Sequence, residues 1–305
     1  MASDAILRTY GDVSVREDVV LNAVEIITAK ETQISNIIQK SQAIALVHNY
    51  LVDTLRTAAS QAVKEADDYT NLQLTTPSRL TNVVEHIAVP FKVTRAQQRA
   101  QHYHGQDEKE RQTSKALMDF GNSMEFDLVR STLVSGVSGT IPKMSGIIQA
   151  ISKSTNYTSH TSTTALVASI LDGLMQLNWT NSNGDVATDL FAGAVLRNVI
   201  DNFAQKTNVV VNAPGISSIV KTVATYQTSF GTLNVHKHRY VQQSTDAHLR
   251  LLAIRPEKLA AAWFEMPYVD NELARSGPYD FRAIAGSLTL EVRNQDSNWY
   301  ADGLK

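Results

Sequence analysis

One stretch constrains the fold more than any other. Residues 107–134 run without a proline, open on Asp107, Glu108, Lys109, Glu110 and Arg111, and stop at Ser135–Gly136. Leu117, Phe120, Met124 and Leu128 recur at helical spacing, so the stretch predicts one helix with an apolar stripe. At 1.5 Å per residue it is about 42 Å long, enough to brace several parts of a fold. Glu125 and Asp127 point in different directions on it and read as bracing or solvated carboxylates.

A second constraint lies upstream. Residues 46–57 and 83–95 read as extended, the latter through Val83, Val84, Ile87, Val89, Phe91 and Val93. Pro90 cannot donate to a strand ladder, so this strand belongs at an edge or breaks there. Between the two lies a long polar insertion, roughly 58–82, and structureless stretches of that length usually serve function or partner contact. Its charges balance: Arg56, Lys64 and Arg79 stand against Glu65, Asp67 and Asp68. With few large apolar anchors, it cannot offset an ordering entropy of ~1–2 kcal/mol per residue alone. The whole reads as a strand–loop–strand arm ordered against a neighbour, with these six residues as candidate subunit-interface positions.

The first fifteen residues carry no period and read as an arm. From Arg16, Val20, Val24 and Ile27 suggest a helix, with Glu17 and Asp18 complementing its dipole. Ile34–Lys40 and an apolar run from Ala43 to Val47 come next. Beyond the long helix, further helices are expected over 162–177 (Leu166, Ile170, Leu174, Leu177) and 189–204 (Phe191, Val195, Val199, Phe203). Runs at 217–228 and 233–241 read as a hairpin around Gly231. The tail returns to strands around Leu249–Ala253 and Leu288–Val292, with a short helix over 256–263 that starts at Pro256.

Composition excludes several classes. There is no cysteine, which removes disulfides, thiolate metal sites and cysteine nucleophiles. A net charge of −2 argues against general nucleic-acid binding. No apolar run approaches the ~18 residues of a membrane span, and charges interrupt the N-terminus, so a soluble intracellular product without an export signal is expected. Ser, Thr, Asn and Gln number 87 against 58 charged residues, a balance that suits extensive protein–protein surfaces as well as it suits compositional drift. Nucleotide-binding, nucleophile-elbow and zincin motifs are all missing. His102/His104 and His236/His238 have the i, i+2 spacing that puts two rings on one strand face, but two ligands make half a zinc site; exposed polar residues, and no metal, are expected. Lys221, Lys237, Arg239 and Arg250 interleave with Tyr226, Phe230 and Tyr240; this resembles a single-strand binder less than a solvated or subunit-facing hairpin. No carboxylate stands beside a partner in an apolar setting, so neither catalysis nor a cofactor is expected.

The order of elements resembles the major capsid proteins of tailed double-stranded DNA phages, the Hong Kong 97-type fold, from Arg16 to Leu304. Ile26–Thr32 is similar to that family's segment after its first helix, although Ala29 and Gln33 stand where prolines are usual. Tyr50-Leu51-Val52-Asp53-Thr54-Leu55 is similar to the strand entering its extended loop, and Pro77–Asn82 to the segment leaving it. Residues 107–134 match its spine helix, and Phe230-Gly231-Thr232-Leu233 its axial hairpin turn. Glu272–Gly277 with Leu288–Asn294 resembles its closing signature.

The resemblance implies an α+β chain: an N-terminal arm (1–45), an extended arm (46–95), a peripheral domain (96–144 and 246–305) carrying the spine helix, and an axial domain (145–245). It implies a subunit without an active site that self-assembles into pentamers and hexamers of an icosahedral shell around packaged double-stranded DNA, contacted without sequence specificity. Scaffold, portal and decoration proteins are the implied partners, the virion capsid the location, and the host cytoplasm the place of assembly. The alternatives are an encapsulin-type nanocompartment and, more remotely, an enzyme with an unrecognised site. A minority of the family joins subunits by a Lys–Asn isopeptide bond. Lys64 is the lysine of the loop, with Asn271, Asn294 or Asn298 as acceptors, although spacing alone does not support that bond.

Overall fold

The computed structural model describes residues 32–305 apart from 56–57, 61, 63, 66–74, 100–107, 207–223, 243–247 and 271–276. The helix expected from Arg16 therefore lies outside the described residues. The described residues open with one helical turn, α1 (Gln33–Ile37), and a short strand, β1 (Gln39–Gln42). Strands β2 (Val47–Val52) and β3 (Ser78–Val83) form an antiparallel ribbon, Val47 opposite Val83 and Val52 opposite Ser78. Then come β4 (Glu85–Thr94), the turn α2 (Arg95–Arg99) and the long helix α3 (Glu108–Arg130). They are followed by α4 (Ile147–Ile151), β5 (Tyr157–Thr164), α5 (Ala168–Asn181), β6 (Asp189–Ala192) and α6 (Ala194–Lys206). The last strands are β7 (Thr225–Thr228), β8 (Gly231–Lys237), β9 (Leu249–Ile254), β10 (Leu259–Asp270), β11 (Tyr279–Val292) and β12 (Trp299–Leu304).

Two larger sheets organise these strands, ordered β1-β10-β11-β4 and β5-β12-β9-β6-β8-β7. Helix α3 covers the first, packing Ala116, Phe120, Leu128 and Val129 with Ile87, Ile284, Leu288 and Leu290. Full burial of each large side chain contributes about 1.5–3 kcal/mol. A second core gathers Leu171, Leu174 and Met175 of α5 and Leu196 and Ile200 of α6 against Leu190, Leu233 and Trp299. Strand β9 joins the two: Leu252 and Ile254 enter the first core, Leu251 and Ala253 the second. Adjacent strand residues face opposite sides, so a strand buried on both faces reads as the continuous apolar run LLAI.

Several expectations hold. Pro90 of β4 sits opposite Ala283, and among the described residues β4 pairs with β11 alone, so the strand is the predicted edge. β7 and β8 form the hairpin around Gly231, Thr228 opposite Gly231. The long helix is present but ends at Arg130, and its buried face is Ala116, Phe120, Gly121, Glu125 and Leu128; Leu117 of the expected stripe is exposed.

Others are corrected. The segment expected to be helical over 256–263 makes a single 3-10 turn at Pro256–Lys258 and then becomes β10. Alanine favours helix intrinsically, but Ala260, Ala261 and Ala262 pair with β1 on one side and β11 on the other, and tertiary pairing wins. The helix expected at 162–177 starts only at Ala168 because 157–164 (YTSHTSTT), rich in β-branched Thr, joins β12 as strand β5. The helix expected at 189–204 is split: β6 occupies 189–192, pairs with β8 and β9, and α6 begins after Gly193. Extended structure over 46–57 shortens to β2, and that over 83–95 divides between the end of β3 and β4.

Gly303 marks the tightest crossing in the second sheet. It has φ +79, and a Cβ there would lie 1.8 Å from the His160 carbonyl oxygen, where β5 slips register against β12. Gly303→Ala combines left-handed strain with a backbone clash. It is expected to lower unfolding free energy by at least ~3 kcal/mol, read as a falling melting temperature of the free subunit.

Candidate assembly interface

The β2–β3 ribbon is tied to the main body at its root by buried polar side chains. Asn82, 4 % exposed, donates through Nδ2 to the Leu290 carbonyl (2.8 Å) and the Ser145 carbonyl (3.2 Å). Its Oδ1 accepts the Ser145 N–H at 2.9 Å. One amide thus joins the ribbon, β11 and the loop before α4. His48 meets Glu291 at 2.8 Å, Ser41 Oγ donates to the same oxygen at 2.7 Å, and Arg293 binds the other oxygen at 3.0 and 3.2 Å. Burial pushes the Glu291 carboxyl up, but the bonds from Ser41, His48 and Arg293 outweigh it and hold it below its ordinary range. Tyr50 Oη accepts the Val292 N–H at 3.2 Å, and burial raises its hydroxyl.

Beyond the root the ribbon turns apolar side chains outward. Leu51 is 70 % and Leu55 98 % exposed, and at the root end Ile44 and Leu46, just before β2, and Val47, its first residue, are exposed as well. Of the interface candidates, Arg79 is exposed on β3 directly opposite Leu51. Lys64 and Glu65 are exposed further along, and Arg56, Asp67 and Asp68 lie outside the described residues. The described structure does not gather these candidates into one cluster; the exposed leucines carry no charge that marks them in the sequence. A second bare surface lies on β10, where pairing with β1 stops at Trp263. Past that point Phe264, Met266, Tyr268 and Val269 are exposed along an edge that no strand pairs with among the described residues.

Buried carboxylates also brace the spine. Glu85 accepts Ser131 Oγ and the Met144 N–H, both at 3.1 Å, fastening the end of α3 to the start of β4. Asp127 lies near it; burial first, and then the Glu85 charge, push its carboxyl up to about 7, with Lys143 partly offsetting them. At the other end of α3, Lys109 Nζ reaches Asp280 of β11 at 2.5 Å.

Glu125 corrects the sequence reading. It is fully buried, with His238 Nε2 3.0 Å away inside the first core, so a carboxylate does stand beside a partner in an apolar setting. His236 instead meets Asp189 at 2.9 Å, and both rings contact Phe191. The pair is therefore not exposed polar decoration: His238 is 2 % exposed. His102 and His104 lie outside the described residues. Among the described residues no three His, Asp or Glu side chains are grouped as metal ligands.

The basic–aromatic hairpin also resolves differently from a stacking platform. Tyr226 donates to Asp172, Phe230 packs on Trp179, and Tyr240 meets Phe126 edge-on. Its aromatic rings face the protein. Asn298, considered as an isopeptide acceptor, is fully buried; its Nδ2 donates to the Asn294 carbonyl and its Oδ1 accepts the Arg255 N–H. It offers no amide to a neighbouring lysine.

Comparison with known proteins gives a consistent picture. The model of the family described as SU10 major capsid protein matches residues 8–305. No curated protein matches the chain. The fold is similar to the capsid of a native GTA particle (TM-score 0.68, 10 % identity, all of both chains). It is similar to a chain of Microbacterium phage Oxtober96 (0.64, 13 %, 93 % of this chain and 94 % of that one). It also resembles the SrpI encapsulin of Synechococcus elongatus PCC 7942 (0.60, 11 %, 93 % and 92 %).

The raised Asp127 carboxyl gives a signed expectation. Its native value exceeds the ordinary 3.8, so its contribution to stability falls as pH rises from there through about 7. Asp127→Asn removes that loss. Relative to the parent, the variant's melting temperature is expected to climb between pH 5 and pH 8; a difference that stays flat across this range would contradict the assignment.

Proposed function

This chain belongs to the SU10 major capsid protein family, and from that premise we propose that its subunits join through the β2–β3 arm into pentamers and hexamers of a closed icosahedral shell. It is a phage major capsid protein of the Hong Kong 97-like α+β fold, a shell-building structural protein of the virion. In the proposed arrangement residues 46–95 reach over a neighbouring subunit, with Arg56, Lys64, Glu65, Asp67, Asp68 and Arg79 at the contact. Residues 96–144 and 246–305 form the peripheral domain and 145–245 the axial domain; the first core is built around α3 and the second around α5 and α6, although β9 and β12 also lend side chains to the second. Packaged double-stranded DNA fills the shell without sequence-specific contact, scaffold, portal and decoration proteins are the accessory partners, and assembly occurs in the host cytoplasm. Family membership favours a viral shell over the encapsulin alternative, since the family model covers almost the whole chain.

The observation that carries the arm contact is the contrast between its root and its outer part. The root is held by buried hydrogen bonds of Asn82 and His48, while Leu51 and Leu55 stand in solvent. Exposed strand edges and apolar side chains invite a partner, and closed symmetric assembly satisfies them without open-ended aggregation.

Replacing residues 58–76 by a short Gly–Ser linker is expected to keep the circular dichroism of the free subunit and abolish shell formation. A shortened chain that still forms normal shells overturns the arm assignment. Leu51→Glu with Leu55→Glu is the finer test. Both sites are exposed, so subunit stability is expected to stay within about 0.5 kcal/mol of the parent while shell yield falls sharply by light scattering.

A further inference from the structure

Glu125 does more than sit in the core. Its Oε1 accepts the Ile34 N–H at 2.6 Å and its Oε2 the Ser35 N–H at 3.0 Å. These are the second and third residues of α1, whose N–H groups an N-cap side chain ordinarily satisfies. Thr32, at the N-cap, makes no such bond. A carboxylate from the spine helix, some ninety residues further along the chain, does the capping instead.

The third donor to this carboxylate is His238 Nε2, 3.0 Å from Oε1. The ring's direction of donation is fixed by its surroundings. Nδ1 accepts the Tyr240 N–H at 3.2 Å, so the ring proton belongs on Nε2, facing Glu125. Phe191 and Tyr240 hold the ring edge-on at centroid distances of 5.7 and 5.8 Å, and the His238 N–H donates to the Ala192 carbonyl at 2.9 Å. Three separate parts of the chain therefore meet at one buried carboxylate: α1, the spine helix α3, and the segment that follows β8. Gln33, the first residue of α1, directly precedes the two capped amides.

We propose that His238 is a positioning residue for shell assembly, acting through the Glu125 carboxylate to hold α1 in one position and orientation against the spine helix. The proposal rests on the shell-forming role but not on the arm contact. A side chain needed only for packing could be replaced by an apolar one of similar size. A positioning residue cannot, because the N–H that helps hold the carboxylate in register with Ile34 and Ser35 would be lost, leaving a buried acceptor underused.

The test compares His238→Leu with His238→Gln, which retains an N–H donor, by amide hydrogen exchange of the free subunit and by imaging of assembled shells. His238→Leu is expected to speed exchange at the Ile34 and Ser35 amides about tenfold or more, with little change at Leu174 or Leu251 in the second core. Its shells are expected to vary in diameter, because α1 is no longer held in one orientation on the spine helix. His238→Gln is expected to restore both. Glu125→Gln, which keeps the side chain's size, is the second variant and is expected to show the same selective rise, so the test survives if His238→Leu does not fold. Equal behaviour of the Leu and Gln variants, a uniform rise across the chain, or retained protection of Ile34 and Ser35 in Glu125→Gln would overturn the proposal. Because the arm is untouched, failure of arm-mediated assembly and failure of this latch give different results: the first leaves the Ile34 and Ser35 amides protected.

Discussion

A two-stranded ribbon is at best marginally stable alone in water. The β2–β3 arm therefore depends on its root, and the rest of the functional account depends on the arm. Asn82 uses both ends of its amide there, and Glu291 collects donors from Ser41, His48 and Arg293. A buried polar group left unmade costs about 1–3 kcal/mol, so these bonds specify one geometry even where their net contribution is modest. Stiffness at the root lets the outer part present Leu51, Leu55 and Arg79 to solvent without a core of its own.

The same device recurs along the spine helix. Glu85 fastens the helix end to β4, Asp280 receives Lys109 near its start, and Glu125 captures α1 between them. Each carboxylate links segments distant in sequence at a spot where apolar packing alone would permit sliding. Hydrophobic burial supplies most of the stabilisation on either side of β9; the carboxylates choose the register. A shell subunit needs that choice, because small errors in how its parts meet are repeated at every copy.

What the sequence revealed followed how local each signal is. The long helix, the edge position of Pro90 and the turn at Gly231 were legible because each follows from periodicity or from one residue's covalent limits. LAAAWF misled because its preference for helix is intrinsic while its strand pairing is supplied by β1 and β11, far away in the chain. β5 hid among Ser and Thr, whereas β9 is legible as a strand around Leu249–Ala253 although both of its faces are buried. The Glu125–His238 contact spans 113 positions, beyond any spacing rule. Its one local trace was a carboxylate lying between Phe120 and Leu128 on the helix's buried face. The interface candidates were chosen by charge, whereas the exposed leucines, which look like ordinary strand residues in a string of letters, carry the physical case for a partner.

The central claim is that the outer arm is completed by another copy of the chain. Electron cryo-microscopy of the assembled shell tests it most directly, through the surroundings of Leu51 and Leu55. The account predicts that both side chains, exposed in the single subunit, are buried against the neighbouring subunit while the bonds of Asn82 and Glu291 at the root are unchanged. A shell in which Leu51 and Leu55 still face solvent would contradict it.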